Sequence, residues 1–321
     1  MKPPSVFTKI LPLLCAVASF SAAARAQPAP STPAAASSPA PATAALPTIF
    51  VCADSTAKNN AGGAQGWGTA IEPYFDSTKA TVNNVAHAGT SSRTYYNNPG
   101  DWPSVLPKIK SGDYVLLVFG INDGGPPRTE RDRGSIPGIG DETVDLPKAD
   151  GTTETAHTYG WYMSKMSTDA LAKGAHVYLL TVTARDIWSN PKATFRDATI
   201  TDQQDGYDPK DDRIERGTAN GKYTHWTKDL GVKLHLPVLD LTNLEADRLE
   251  KMGRVAAMVN YVDHNHTKPA GADIVASTII SGLKAFKNSP FPVLLSAKGQ
   301  AVPAADAKYV ADNPSSDKPA K

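Results

Sequence analysis

The chain has 321 residues, and its 33 Lys and Arg residues nearly balance its 32 Asp and Glu residues. This balance excludes a strongly basic protein that binds nucleic acid or an anionic membrane by charge alone. Hydrophobic residues make up 40% and charged residues 20%, as is typical of a soluble globular protein with a sizeable core. No apolar run reaches the roughly 18 residues that a membrane-spanning helix needs, and the two cysteines, Cys15 and Cys52, are too few for a disulfide-rich scaffold.

The first 26 residues have the pattern of a secretory signal peptide. Lys2 and Lys9 provide the positive start, an apolar stretch follows, and Ala24-Arg25-Ala26 forms a small-x-small motif with cleavage expected after Ala26. We therefore expect a secreted or periplasmic protein with no membrane association after cleavage. Cleavage also removes Cys15, so that Cys52 has no partner for an intramolecular disulfide.

Low-complexity sequence lies on both sides of the predicted folded region. Residues 27–47 are almost entirely Pro, Ala, Ser and Thr, and such a composition buries too little apolar surface to fold. This stretch predicts a linker. A low-complexity C-terminal tail is predicted over 291–321, which leaves a single domain over 48–290.

Short apolar runs alternate with helical patterns within that domain. Continuous apolar runs of this kind predict a parallel sheet covered by helices on both faces. Helical spacing occurs over 159–173 and 270–287, and the predicted strands are 48–52, 80–86, 113–119, 176–182 and 232–239.

Polar motifs follow several of these strands, and ligands of parallel sheets bind beyond the carboxyl ends of the strands. Each motif alone has an ordinary explanation: an Asp-Ser-Thr sequence often caps a helix, and Gly or Asn-Asp often marks a turn. Together and in this order they indicate a catalytic site, because a possible nucleophile, two possible oxyanion donors and an acid–base pair all fall at strand ends. The residues are Ser55, Gly89, Asn122, Asp263 and His266.

Together with their surroundings, these motifs resemble the SGNH (GDSL-type) hydrolases, and in particular the rhamnogalacturonan acetylesterase branch. The resemblance covers most of 48–285 and is carried by residues 89–94, 119–124, 132–143 and 157–162. It implies a flavodoxin-like three-layer α/β/α sandwich with a five-stranded parallel sheet. It also implies a serine esterase without a cofactor that removes acetyl groups from a plant-cell-wall polysaccharide, above all rhamnogalacturonan.

The chemistry of such a site can be stated from the residue types. A serine hydroxyl is a weak nucleophile and needs an adjacent base, here His266. Asp263 would hold the imidazole of His266 in the required tautomer. The resemblance assigns the oxyanion hole to the backbone N–H groups of Ser55 and Gly89 and to the side-chain amide of Asn122.

A compact metal site is the alternative interpretation of the same loop. Asp263, His264 and His266 could supply a partial set of ligands, which His87, His157 or an acidic residue elsewhere would complete. The triad interpretation needs no metal, and we expect none.

Aromatic and basic residues near the Gly89 motif are candidates for substrate contacts. Tyr95 and Tyr96 are expected to line the cleft, where aromatic rings suit the apolar faces of sugars. Arg93 and Arg128 are candidates for binding a galacturonate carboxylate. Structural ion pairs and core packing are the alternatives for these residues.

Two other functions remain open from the sequence. An acetylxylan esterase or a general short-chain esterase would share the fold and differ in the cleft. A non-catalytic glycan-binding relative is favoured by Ala53, where the family usually has Gly, and by Ile121, where it often has His. The complete set of predicted triad and oxyanion residues argues against loss of activity.

Overall fold

The structure is a computed structural model, and it describes residues 45–127, 133–190, 193–196, 212–216 and 222–312. The predicted signal peptide (1–26), nearly all of the predicted linker (27–47) and Arg128 lie outside the described residues.

Helices and strands alternate along the described chain. The strands are β1 (Thr48–Ala53), β2 (Thr81–Asn84), β3 (Tyr114–Val118), β4 (Thr143–Pro147), β5 (Thr153–His157), β6 (His176–Leu180), β7 (Ile187–Asn190), β8 (Ala193–Arg196), β9 (Arg213–Ile214), β10 (Val238–Leu239) and β11 (Val310–Ala311). The helices are α1 (Trp67–Ala70), α2 (Ser92–Asn97), α3 (Trp102–Val105), α4 (Tyr159–Ala172), α5 (Lys222–Leu234), α6 (Leu241–Met252), α7 (Arg254–Met258), α8 (Pro269–Ala285) and α9 (Ala297–Ala301). Short 3₁₀ turns lie at Glu72–Tyr74, Leu106–Lys108, Pro292–Leu294 and Ala307–Tyr309.

The main sheet has the strand order β11-β10-β6-β3-β1-β2. Its five strands from β10 to β2 are parallel to one another, which confirms the predicted α/β class and the five parallel strands. β11 adds a sixth strand that pairs antiparallel with β10 at the edge of the sheet. Two small antiparallel sheets, β4-β5 and β8-β7-β9, accompany it.

Side chains of the central strands alternate between two cores. In β1, Ile49 and Val51 pack with helix α8, whereas Phe50 and Cys52 pack with α4 and α5. This alternation follows from the two-residue period of a strand and produces the three layers. Cys52 is a free, buried cysteine. None of the helices in the described ranges combines the length and apolar character needed to cross a membrane.

The prediction of a strand over 232–239 was wrong for the first residues of this range. Helix α5 continues to Leu234, and Val232 is an exposed side chain on it. His235 then takes a left-handed conformation, φ 54°, and ends the helix. The strand that follows consists of Val238 and Leu239. A β-branched residue on the exposed side of a helix looks like a strand residue in sequence.

The folded domain also extends beyond the predicted boundary at residue 290. Phe291 and Leu295 are buried in the core on the α8 side of the sheet. Val310 and Ala311 form the edge strand β11. A few widely spaced apolar residues anchor this segment to the core. The prediction of a tail rested on the overall composition, which is rich in Pro, Ala and Lys and does not reveal these residues. Residues 313–321 of the predicted tail lie outside the described residues.

Candidate active site

Ser55 stands two residues after the carboxyl end of β1, in a turn that its neighbours hold in place. Asp54 Oδ1 accepts hydrogen bonds from Thr56 N at 2.9 Å and from Thr56 Oγ1 at 2.8 Å. Asn60 Nδ2 donates to the carbonyl oxygen of Ser55 at 2.8 Å. Ala53, directly before Asp54, is fully buried in the core with an ordinary negative φ. Its methyl group therefore fits the turn without strain.

The structure brings Ser55, His266 and Asp263 into one hydrogen-bonded chain. His266 Nε2 lies 2.9 Å from Ser55 Oγ, across 211 residues of sequence. His266 Nδ1 lies 2.7 Å from Asp263 Oδ2. A carboxylate at Nδ1 keeps the proton on that nitrogen, so Nε2 is free to accept the proton of the Ser55 hydroxyl.

The loop that carries His266 is closed on itself and fastened to two neighbouring segments. Val262 N donates to His266 O at 2.7 Å and closes the loop on itself. Gln65, in the segment after Ser55, exchanges hydrogen bonds with Thr267 at 2.9 and 2.8 Å. Arg185, which follows β6, donates from Nε to Asn265 Oδ1 at 2.8 Å. These contacts hold the imidazole toward Ser55 before any ligand binds.

The predicted oxyanion donors lie at the ends of three adjacent strands. Within the described residues, the N–H groups of Ser55 and Gly89 donate to no protein acceptor. Gly89 has φ +80°, a conformation that favours glycine. Asn122 Nδ2 donates one of its two hydrogens to Thr90 O at 2.8 Å, which orients the side-chain amide. Its second N–H remains for a ligand.

Buried carboxyl groups give the site an unusual electrostatic environment. Burial raises the pKa of Asp54, although hydrogen bonds from Thr56 and the positive charges of His266 and Arg133 act against it. Burial also raises the pKa of Asp123 to about 6, against hydrogen bonds from Ser92 and Ser135. Both groups hold backbone in place: Asp123 accepts from the amide and the hydroxyl of Ser92 at the start of α2.

The pKa of Asp263 is shifted in the opposite direction, below its ordinary value. Partial burial acts to raise its pKa, but hydrogen bonds from His266 Nδ1 and from the backbone N–H groups of Asn265 and His266 outweigh burial. The pKa of Asp263 therefore lies below its ordinary value, and the carboxylate is ionised at neutral pH. An anion at this position is able to stabilise a protonated imidazole at His266.

A further buried carboxyl group, Glu245 on α6, lies close to the loop that contains His266 and is joined to it through Tyr261. Glu245 accepts hydrogen bonds from Ala184 N at 2.9 Å and from Tyr261 Oη at 3.2 Å. Tyr261 forms a β-bridge with Thr267, and the two residues flank the loop that contains His266. Burial raises the pKa of Glu245 to about 7. Nothing in the sequence around Glu245 marks it as a buried acid, because the neighbouring positions carry charges on an amphipathic helix.

Two of the predicted substrate contacts are structural residues instead. Arg93 is buried, with Nε 2.8 Å from Glu154 and Nη1 donating to Gly134 O at 2.8 Å. Tyr95 is fully buried and donates its hydroxyl to Val85 O at 3.0 Å. Both point into the domain because α2 packs closely on α4. The prediction that Tyr95 lines the cleft was therefore wrong, and Arg93 forms the structural ion pair that was the alternative to carboxylate binding. Tyr96 is half-buried against Trp161, with ring centroids 5.5 Å apart.

Arg133 lies in the segment 132–143 that carries the resemblance, but it is not one of the predicted site residues. It is exposed, and its Nη1 donates to Gly89 O at 3.1 Å. The structure therefore places a guanidinium group beside a predicted oxyanion donor.

The histidines of the alternative metal site are dispersed or already engaged. Both ring nitrogens of His266 face protein side chains. His87 lies 2.8 Å from Asp101, and His157 stacks on Trp161 with centroids 3.7 Å apart. In the ranges that the structure describes, no group of three His, Cys, Asp or Glu side chains is arranged to hold a metal ion.

Comparison with known proteins adds two curated relatives, while no family model matches the chain. The chain is 28% identical to a rhamnogalacturonan acetylesterase of Emericella nidulans over 243 residues, which cover 74% of this chain and 84% of that protein. It is 38% identical to the uncharacterized esterase YxiM of Bacillus subtilis over 87 residues, which cover 26% of this chain and 22% of YxiM.

A solved structure shares the fold. The crystal structure of YxiM from Bacillus subtilis matches with a TM-score of 0.53 and 23% sequence identity, over 75% of this chain. This chain spans 56% of the chain in that structure. At this identity the match concerns the fold.

Proposed function

We propose that this chain, a carboxylic ester hydrolase of the SGNH family, removes acetyl groups from a plant-cell-wall polysaccharide, and that the polysaccharide is rhamnogalacturonan. The observation that carries the mechanism is the chain of contacts from Ser55 Oγ to His266 Nε2 and from His266 Nδ1 to Asp263, at 2.9 and 2.7 Å. The similarity to a rhamnogalacturonan acetylesterase over most of both chains supports the choice of polymer.

The proposed reaction proceeds through an acetyl-enzyme. Ser55 Oγ attacks the acetyl carbonyl carbon as its proton moves to His266 Nε2. The tetrahedral oxyanion accepts hydrogen bonds from the N–H groups of Ser55 and Gly89 and from the Asn122 amide. Collapse breaks the bond to the sugar oxygen, which takes the proton from His266. A water molecule activated by His266 then hydrolyses the acetyl-serine, releasing acetate and restoring Ser55.

The test is acetate release by the mature protein, with Ser55→Ala beside the wild type, on acetylated rhamnogalacturonan and on acetylxylan. We expect release by the wild type alone, chiefly from rhamnogalacturonan and unchanged by a chelator. The variant should keep the wild-type melting temperature, because the turn is held by Asp54, Thr56 and Asn60. Near-native turnover by Ser55→Ala would refute the mechanism.

Other outcomes separate the remaining alternatives. Release from xylan or small esters alone would keep the mechanism and refute the proposed polymer. No release from any ester would favour a glycan-binding protein. The export proposed from residues 1–26 is tested by the N-terminal sequence of the processed protein, which should start after Ala26.

A further inference from the structure

An exposed guanidinium group, that of Arg133, stands beside the proposed oxyanion hole. Arg133 Nη1 lies 3.1 Å from Gly89 O, and in the described part of the chain no carboxylate lies within ion-pair distance of Arg133. Other arginines near the site are neutralised: Arg93 pairs with Glu154 at 2.8 Å and Arg185 with Glu215 at 3.4 Å. Arg133 is therefore a positive charge available to a ligand.

The backbone next to Arg133 is firmly held. Gly134 O accepts a hydrogen bond from the buried Arg93 Nη1 at 2.8 Å. Ser135 N donates to Asp123 O at 3.1 Å, and Ser135 Oγ donates to Asp123 Oδ1 at 2.9 Å. Asp123 directly follows Asn122, so the backbone that carries Arg133 is joined to the strand end that carries an oxyanion donor. Such support positions a binding group before the substrate arrives.

We infer that Arg133 determines specificity by binding the carboxylate of a uronate in the substrate, next to the ester that is cleaved. The inference rests on the proposed function and deepens it, because it selects acidic polysaccharides over neutral ones. A guanidinium group has five N–H donors in a planar fork that matches a carboxylate. Gly89 O accepts one of them, so a pair remains for bidentate binding.

Arg133 could instead act only by positioning Gly89, and this role predicts a different result from carboxylate binding. A positioning role would affect every ester alike, since all esters use the same oxyanion hole. A carboxylate-binding role affects substrates that carry a uronate. Charge-assisted hydrogen bonds are worth about 1.5–3 kcal/mol each, which corresponds to a loss of roughly 10-fold or more in kcat/KM for one bond.

The experiment compares kcat/KM on acetylated rhamnogalacturonan and on the same polymer after its carboxyl groups have been reduced to alcohols. The variants are Arg133→Gln, which removes the charge, and Arg133→Lys, which keeps the charge without the planar fork. Lys108→Gln is the matched control, because it also removes one exposed positive charge. Lys108 precedes β3 and so lies at the amino ends of the strands, whereas the site lies at their carboxyl ends.

We expect the wild type to prefer the acidic polymer and Arg133→Gln to reduce that preference at least about 10-fold, with an intermediate value for Arg133→Lys. Lys108→Gln should retain the wild-type preference. The preference of the wild type should also weaken as salt is added, because the site is exposed.

An unchanged preference in Arg133→Gln would overturn the inference, and so would an equal loss on both polymers, which would assign Arg133 to positioning Gly89. Both results would leave the proposed function intact, since the wild type would still release acetate. If the wild type releases acetate from neither polymer, the proposed function fails and this inference fails with it.

Discussion

Replacing Asp263 by Asn tests the proposed role of this carboxylate with little change in shape. Asp263 Oδ1 accepts from Asn265 N at 2.7 Å and from His266 N at 2.8 Å, while Oδ2 faces His266 Nδ1 at 2.7 Å. The Asn oxygen should stay with the two backbone donors, because the opposite orientation would put an NH₂ group against both. The amide NH₂ group then faces His266 Nδ1.

This orientation reverses the tautomer of the imidazole. Nδ1 must now accept a hydrogen bond, so the proton moves to Nε2, which can no longer take the proton of Ser55. A reversal of this kind in a serine hydrolase lowers kcat roughly 10⁴-fold, which is about 5 kcal/mol of activation free energy. Stability should change little, because both backbone hydrogen bonds remain and the Asp263 side chain is 47% exposed.

The assays are kcat on a small acetyl ester, the melting temperature, and the ¹⁵N chemical shifts of the His266 ring. We expect a large loss of kcat, a nearly unchanged melting temperature, and a proton that moves from Nδ1 to Nε2. Asp263→Ala is the control, because it loses the backbone hydrogen bonds as well and should also melt earlier. Near-native kcat for Asp263→Asn, or an unchanged tautomer, would refute this account.

Two further predictions concern the groups around the triad. Asn122→Ala should lower kcat about 10²–10³-fold by removing one oxyanion donor, with a melting temperature close to that of the wild type; an unchanged kcat would remove Asn122 from the oxyanion hole. Glu245→Gln should change how stability depends on pH. The folded protein holds the Glu245 proton up to about pH 7, whereas an unfolded chain releases it near its ordinary value of 4.5. Wild-type stability therefore falls by about 3 kcal/mol as pH rises through this window, and the variant lacks that loss. Denaturant titrations from pH 4 to 8 should show that the free energy of unfolding of the variant increases relative to that of the wild type as pH rises. A difference in free energy that does not change with pH would contradict the raised pKa of Glu245.

Local patterns along the chain determined most of the parallel sheet and the identities of the catalytic candidates. β1 and β3 are continuous apolar runs, buried on both faces, and such runs are recognisable without knowledge of their neighbours. Residues that need a specific chemistry also stand out when they follow a strand, as Ser55 does. The edge strand β11 was missed because its two residues become a strand by pairing with β10.

Distance and burial could be decided by the tertiary structure alone. The 2.9 Å contact between Ser55 and His266 joins residues 211 positions apart, and packing of α8 against α1 brings their loops together. Arg93 and Arg133 look equivalent in sequence, since each is an arginine in a motif that carries the resemblance described above. Packing of α2 buries Arg93 against Glu154, whereas Arg133 is exposed beside Gly89. Burial depends on what every other element covers, so a residue's own neighbours in sequence do not determine whether its charge is available to a substrate.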